Sequence, residues 1–213
     1  MRIGFDIDGP LALFMEPFME IIIEQTGKNL FLPIDITDPP AYDFAAHRGY
    51  TRKEIRTVWD VIVKDASFWT TLSRNPELDA NDYELLGLFQ LLCIEHDVYF
   101  ITNRSGNRAK AQTEAWLKRM LDIYTPTVLL SSDKTGVDKG LMINALKLHT
   151  YIDDKIENVR SVCAYAPKCR TYLLDRAYNQ LPNDATSTQR WQEVHGYIRI
   201  PSMREFFVRE GLL

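Results

Sequence analysis

The chain has 213 residues, 25 of them basic and 29 acidic, for a formal net charge of −4. That length predicts one domain, or one domain carrying an insertion. The acidic balance excludes a general nucleic-acid or anionic-membrane surface, which needs clustered positive charge, while 46% hydrophobic and 25% charged residues exclude disorder and collagen-like repeats.

Cysteine usage is sparse. Cys93 lies in the apolar run Leu91–Ile94 and reads as a small buried hydrophobe, Cys163 and Cys169 have no requirement to pair, and no CxxC occurs. A reducing, cytoplasmic setting is therefore expected. No leader is expected either, because Asp6 interrupts the first apolar residues. The most apolar later stretch, 85–94, is too short to span a bilayer, so a soluble protein is expected.

The first element is a short apolar strand, Arg2-Ile3-Gly4-Phe5, ending in Asp6-Ile7-Asp8 and broken by Gly9-Pro10. Helical spacing of Leu11, Phe14, Met15, Phe18, Ile21 and Ile22 predicts a helix over 11–26, stopped by Gly27. Residues 28–80 change character. They hold four prolines, a helical patch at about 52–65, a heavy aromatic load and no strong strand pattern, which predicts an inserted, mostly helical cap. From residue 82 helices and strands alternate: helix 82–95 and strand 97–102, helix 107–121 and strand 127–130, helix 138–147 and strand 150–153, helix 155–165 and strand 170–175. Short apolar strands alternating with helices predict an α/β fold, a Rossmann-like parallel sheet with helices on both faces. The expected division is a core of 1–27 and 81–213 with the cap at 28–80.

Ligands bind at the carboxyl ends of strands in open parallel sheets. The predicted strands end in Asp6-x-Asp8, Thr102-Asn103-Arg104, Ser131-Ser132-Asp133-Lys134, Asp153-Asp154 and Asp175-Arg176. Two carboxylates two apart at a buried strand end repel each other unless a cation or proton compensates, and Mg²⁺ takes oxygen ligands of this kind. Asp153-Asp154 would add a second acidic group, although acids also favour a helix N-terminus by themselves. Thr102 and Asn103 offer donors ahead of a helix N-terminus, where an anion is held; Arg104 can add to them but reads slightly better as an ordinary surface arginine. Either Lys134 or Lys139 would balance phosphate charge.

In this order, Asp6-x-Asp8-Gly9, Thr102, Lys139 and Asp153-Asp154 resemble the four motifs of the haloacid-dehalogenase-like hydrolase superfamily, over about residues 1–175. Within it, FDIDGPLALF, SFWTTL, YFITNR, TYIDDKIENV and YLLDRAYN are most similar to the 5'(3')-deoxyribonucleotidase-like branch, with Pro10 standing where Val or Thr is commoner. Lys139 is preferred over Lys134 because it opens the helix that feeds the last acidic strand.

The resemblance implies a Mg²⁺-dependent phosphatase, most specifically a 5'-nucleotidase acting on (deoxy)ribonucleoside monophosphates. Asp6 would be the nucleophile and form an aspartyl-phosphate. Asp8 would act as general acid, then base. Mg²⁺ would be held by Asp6, the Asp8 carbonyl and Asp153. Thr102, Asn103 and Lys139 would bind the phosphoryl oxygens, with Asp154 behind them. The aromatic residues Phe14, Phe44, Phe68 and Trp69 would form either a base-stacking wall or the cap's own core. Two other readings are carried: a phosphatase for another small phosphoester or a polynucleotide end, and a non-catalytic phosphate- and metal-binding protein. A receiver-type phospho-acceptor is rejected because here the acidic pair opens the chain and a large insertion follows it. The expected partner is a small phosphomonoester, with no membrane, no extended nucleic acid, and a homodimer left open.

Overall fold

The computed structural model describes residues 1–36, 39–78, 83–132, 136–180 and 196–212. In chain order its elements are β1 (Arg2–Phe5), β2 (Ala12–Leu13), α1 (Met15–Thr26), α2 (Phe44–His47), α3 (Arg52–Lys64), α4 (Phe68–Thr71), β3 (Ser73–Arg74), α5 (Tyr83–Glu95), β4 (Asp97–Thr102), α6 (Ala109–Leu121), β5 (Thr127–Leu130), α7 (Val137–Leu146), β6 (Thr150–Asp153), α8 (Ile156–Tyr165), β7 (Arg170–Leu174), β8 (Tyr197–Ile200) and α9 (Met203–Arg209).

Among the described residues, six strands form one parallel sheet in the order β5-β4-β1-β6-β7-β8. Both faces are buried, and successive side chains serve opposite ones. Phe100 and Ile152 join the cluster of Phe5, Phe89, Trp116 and Phe206, whereas Ile101 and Tyr151 join Ile143, Leu148 and Val162. One face therefore lies under α5, α6 and α9, and the other under α7 and α8. This is the expected α/β, Rossmann-like class with helices on both faces.

Two elements in the first third differ from the sequence reading. The helix expected from residue 11 begins at Met15, because the backbone N–H groups of Leu11 and Ala12 both donate to the Ile7 carbonyl at 2.9 and 2.8 Å and curl the chain into a loop. Ala12–Leu13 then pairs antiparallel with Ser73–Arg74, a strand that the 28–80 segment was not expected to hold. This two-stranded ribbon ties the chain just ahead of α1 to the last part of the 28–80 segment. Its side chains do not form an isolated core: Phe44, Tyr50, Val58, Ile62, Phe68 and Trp69 share one apolar cluster with Ile3 and Phe5.

The sheet also extends beyond the last expected strand. β8 adds an edge, and α9 packs Phe206 against Phe5 and Tyr172 with ring centroids 5.5 and 5.3 Å apart. Four residues of β8 form too short a run to announce themselves by pattern.

Gly4 sits in the central strand with Leu148 and Tyr151 filling the space a side chain would take: a Cβ there would lie 2.6 Å from Leu148 Cδ1 and 2.8 Å from Tyr151 Cδ2. Gly4→Val is expected to destabilise the fold by about 1–3 kcal/mol through overpacking. Urea unfolding followed by circular dichroism checks this, and an unchanged midpoint would contradict it.

Candidate active site

β1 is the strand at which the chain order reverses, with β4 and β5 on one side and β6, β7 and β8 on the other. The carboxyl ends of β1, β4 and β6 consequently lie side by side, at the crevice where ligands of open α/β sheets bind. The Asp6 N–H donates to the Ile152 carbonyl at 2.9 Å, so pairing continues one residue past β1. Beyond it the backbone passes close over Asp154: Gly9 has φ 106°, and a Cβ on it would lie 1.9 Å from Asp154 Oδ2. Only glycine meets both demands. The Gly9 carbonyl is held by Asn75 Nδ2 at 2.7 Å and Arg176 Nη2 at 3.3 Å.

Asp6, Asp153 and Asp154 are all buried, and each offers a carboxylate oxygen within 4.8 Å of the others'. Lys139, itself 1% exposed, enters from α7 and donates to Asp6 Oδ1 at 2.5 Å and Asp153 Oδ2 at 2.8 Å. Asp153 is further satisfied by Tyr151 Oη at 2.6 Å, the Lys155 N–H at 2.8 Å and Asn158 Nδ2 at 3.1 and 3.0 Å. Asp154 accepts from the Tyr178 hydroxyl through its side chain and from Asn179 Nδ2 at 2.7 Å through its carbonyl.

Three carboxylates against one ammonium leave this pocket electron-rich. Burial, reinforced by the charges of Asp153, Asp154 and Asp8, raises the Asp6 carboxyl well above the usual range despite Lys139. Burial and then Asp153 push Asp154 up to about 7, against the pull of Tyr178, Arg176 and Lys139. Burial by itself would lower the Lys139 ammonium, but Asp153 and Asp6 overcome it and hold it above its ordinary value. A hard divalent cation fits such a donor set, because it takes oxygen ligands and offsets the mutual repulsion of the carboxylates that adds to the effect of burial on Asp6.

Asp8 faces elsewhere. Its carboxylate accepts from Arg104 Nη2 at 2.8 Å, from Arg104 Nε at 3.1 Å on both oxygens, and from Thr102 Oγ1 at 3.3 Å. Arg104, read from sequence as a surface arginine, is 2% exposed and lies against the rings of Trp69 and Trp116. The correction is tertiary: those indoles come from segments 35 and 12 residues away in sequence, and no local pattern announces the contact. Thr102 is buried at the end of β4, and Asn103, half-buried, follows it.

Of the four aromatic candidates, the structure places Phe44, Phe68 and Trp69 in the core at 4, 4 and 2% exposure, and Phe14 half-buried beside them. Trp69 stacks on Phe14 and donates its indole N–H to the Ser105 carbonyl at 2.9 Å. Nearer the acidic cluster stands Tyr42, half exposed, with its ring against Tyr178 and 4.4 Å from Lys155 Nζ. Sequence reasoning passed over Tyr42, Tyr151, Asn158 and Tyr178. Only Asn158, five residues after Asp153 and so one helical turn into α8, carried a usable spacing signal. Lys134 lies outside the described residues.

No family model and no curated protein matches the chain. Its fold is similar to solved structures across nearly its whole length. These include a candidate phosphoglycolate phosphatase from Lactobacillus plantarum (15% identity, TM-score 0.57, covering 100% of this chain and 98% of that one). A candidate haloacid dehalogenase-like hydrolase from Bacteroides fragilis matches at 16% identity and TM-score 0.54, covering 96% and 98%. A candidate β-phosphoglucomutase from Thermotoga maritima matches at 14% and 0.53, covering 100% and 99%. These likenesses show that the fold is that of haloacid-dehalogenase-like hydrolases.

A divalent cation that binds only the folded protein stabilises it by mass action, about 2.7 kcal/mol at one hundred times Kd. Millimolar Mg²⁺ should therefore raise the melting temperature by several degrees, and Asp153→Asn should abolish the rise. A melting temperature indifferent to Mg²⁺ in the unaltered protein would count against a metal site here.

Proposed function

We propose that the protein is a Mg²⁺-dependent phosphomonoester hydrolase working through an aspartyl-phosphate on Asp6. The observation that carries this reading is the contrast between the two carboxylates of Asp6-x-Asp8. Asp6 is buried against Lys139 in the acidic cluster, while Asp8 is part-exposed and held by Arg104 and Thr102. Two carboxylates in environments that differ this much are suited to different roles.

In this reading Asp6 attacks phosphorus, and the bond from phosphorus to the ester oxygen breaks. Asp8 gives its proton to the departing oxygen, then takes one from the water that attacks the aspartyl-phosphate. Inorganic phosphate leaves and Asp6 is regenerated. Lys139 and Thr102, with the Asn103 backbone, hold the phosphoryl oxygens as charge redistributes. Asp6, Asp153 and the Asp8 carbonyl would hold Mg²⁺, whose charge offsets that of the phosphoryl group. Asn158, Tyr151 and the Lys155 N–H keep Asp153 fixed, and Tyr178 does the same for Asp154.

For the substrate we propose a nucleoside 5'-monophosphate. The aromatic loading around the site favours a flat leaving group, with Tyr42 and Phe14 as the rings that keep exposed surface. Trp69, stacked and hydrogen-bonded within the core, supports the wall from behind.

Phosphate release measured over nucleoside monophosphates, sugar phosphates and p-nitrophenyl phosphate, with Mg²⁺ and with EDTA, tests the reading directly. A preference for sugar phosphates would overturn the nucleotide assignment and leave the chemistry standing. Asp6→Asn should abolish turnover in a folded protein, and more than a few per cent of residual activity would remove Asp6 as nucleophile. Asp8→Asn should cost an alkyl phosphate far more than p-nitrophenyl phosphate, whose leaving group needs little proton donation; general acid–base catalysis is worth roughly 10²–10⁴-fold. Trp69→Ala should lower stability by about 3–5 kcal/mol, the usual cost of emptying a core aromatic site, and reduce activity on nucleotides and on alkyl phosphates without a base alike. A loss confined to nucleotides, with unaltered melting, would instead place Trp69 in the base pocket.

A further inference from the structure

We infer that Arg104 is a positioning residue for Asp8, held against two indoles so that its guanidinium fork sets the direction of the Asp8 carboxylate. The inference rests on the reading of Asp8 as proton donor and acceptor.

Arginine offers five N–H donors in a rigid plane, so it fixes a carboxylate in orientation as well as in charge. Here that plane has little freedom. The Arg104 side chain has no exposed surface. Its guanidinium carbon lies 5.0 Å from the Trp69 ring centroid and 5.4 Å from that of Trp116, distances at which the cation is attracted to the ring face. Nη1 donates to Thr113 Oγ1 at 3.3 Å, which leaves Nε and Nη2 for Asp8. The platform is itself anchored. Trp69 donates through its backbone N–H to Gln112 and through its indole to Ser105, and Trp116 donates its indole N–H to the Leu72 carbonyl at 2.7 Å.

Asp8, by contrast, sits on a loop just past the end of β1 and keeps 23% of its side chain exposed. A carboxylate on such a loop gains its aim from whatever grips it, and a misplacement of about 1 Å in a reacting group can cost a hundredfold in rate. Trp69, which joins the aromatic cluster to Arg104, thereby acts on the chemistry through it.

The test compares kcat on ethyl phosphate and on p-nitrophenyl phosphate for Arg104→Gln, Asp8→Asn and the double variant. Arg104→Gln should lower kcat on ethyl phosphate at least about tenfold more than on p-nitrophenyl phosphate, with KM for both esters moving less than about threefold. In the Asp8→Asn background the same change should cost less than about twofold, because its effect passes through Asp8. Equal losses on the two esters, or losses that multiply in the double variant, would overturn the assignment. A merely structural arginine would lower the melting temperature without changing the ratio between esters. Should Arg104→Gln fail to fold, Arg104→Lys keeps charge and length but not the fork and should shift the ratio in the same direction; an unaltered ratio overturns the inference. If Asp8→Asn by itself depresses both esters equally, the proton-transfer reading of Asp8 falls first and takes the role of Arg104 with it.

Discussion

Lys139 carries its ammonium into the interior and shares it between Asp6 and Asp153, two carboxylates on neighbouring strands. Removing one partner from a buried charge group leaves an uncompensated ion, which costs several kcal/mol, so this bridge constrains everything around it. It demands that α7 approach the carboxyl edge of the sheet closely. Gly140, the next residue, permits that approach: a Cβ there would lie 2.6 Å from Ser161 Oγ and 2.7 Å from the Ser161 carbonyl of α8. From α8, Asn158 then reaches Asp153. The packing of two helices on one face of the sheet is thus tied to the geometry of three carboxylates at its rim.

A second constraint acts through the opposite side of the same motif. Asp6 and Asp8 are two residues apart, yet one belongs to the acidic cluster and the other to Arg104. The apolar cluster of the 28–80 segment supports that separation. Phe14 stacks on Trp69, Trp69 lies against Arg104, and Arg104 grips Asp8. Since these aromatic residues share one core with Ile3 and Phe5 of the central strand, the segment's packing and the site's geometry are mechanically continuous. The β2–β3 ribbon and the Asn75 bond to Gly9 close the loop from behind.

Much of the architecture was legible by pattern. Strands 97–102, 127–130 and 150–153 coincide with β4, β5 and β6, because each is a short apolar run between helical stretches, a signal that is local to the run. Helix 52–65 likewise ends within a residue of α3, where Thr51 and Glu54 form a reciprocal cap at its start. Where the pattern misled, two periodicities overlapped. Leu11 and Phe14 fit a helical stripe, but Leu11 is buried in the loop that the Ile7 carbonyl organises and Ala12 is already in β2.

What the sequence determined by itself was therefore the order of helices and strands and the acidic chemistry at the strand ends, since period and residue type are local properties. Partnership was decided by the tertiary structure. Lys139 is 133 residues from Asp6, and Arg104 is 96 from Asp8. No spacing rule connects such pairs until the sheet order sets their strand ends side by side. The same holds for Trp69, whose type announced a large apolar surface but not what would cover it. Burial is a property of what packs against a side chain, and only the folded chain supplies those neighbours.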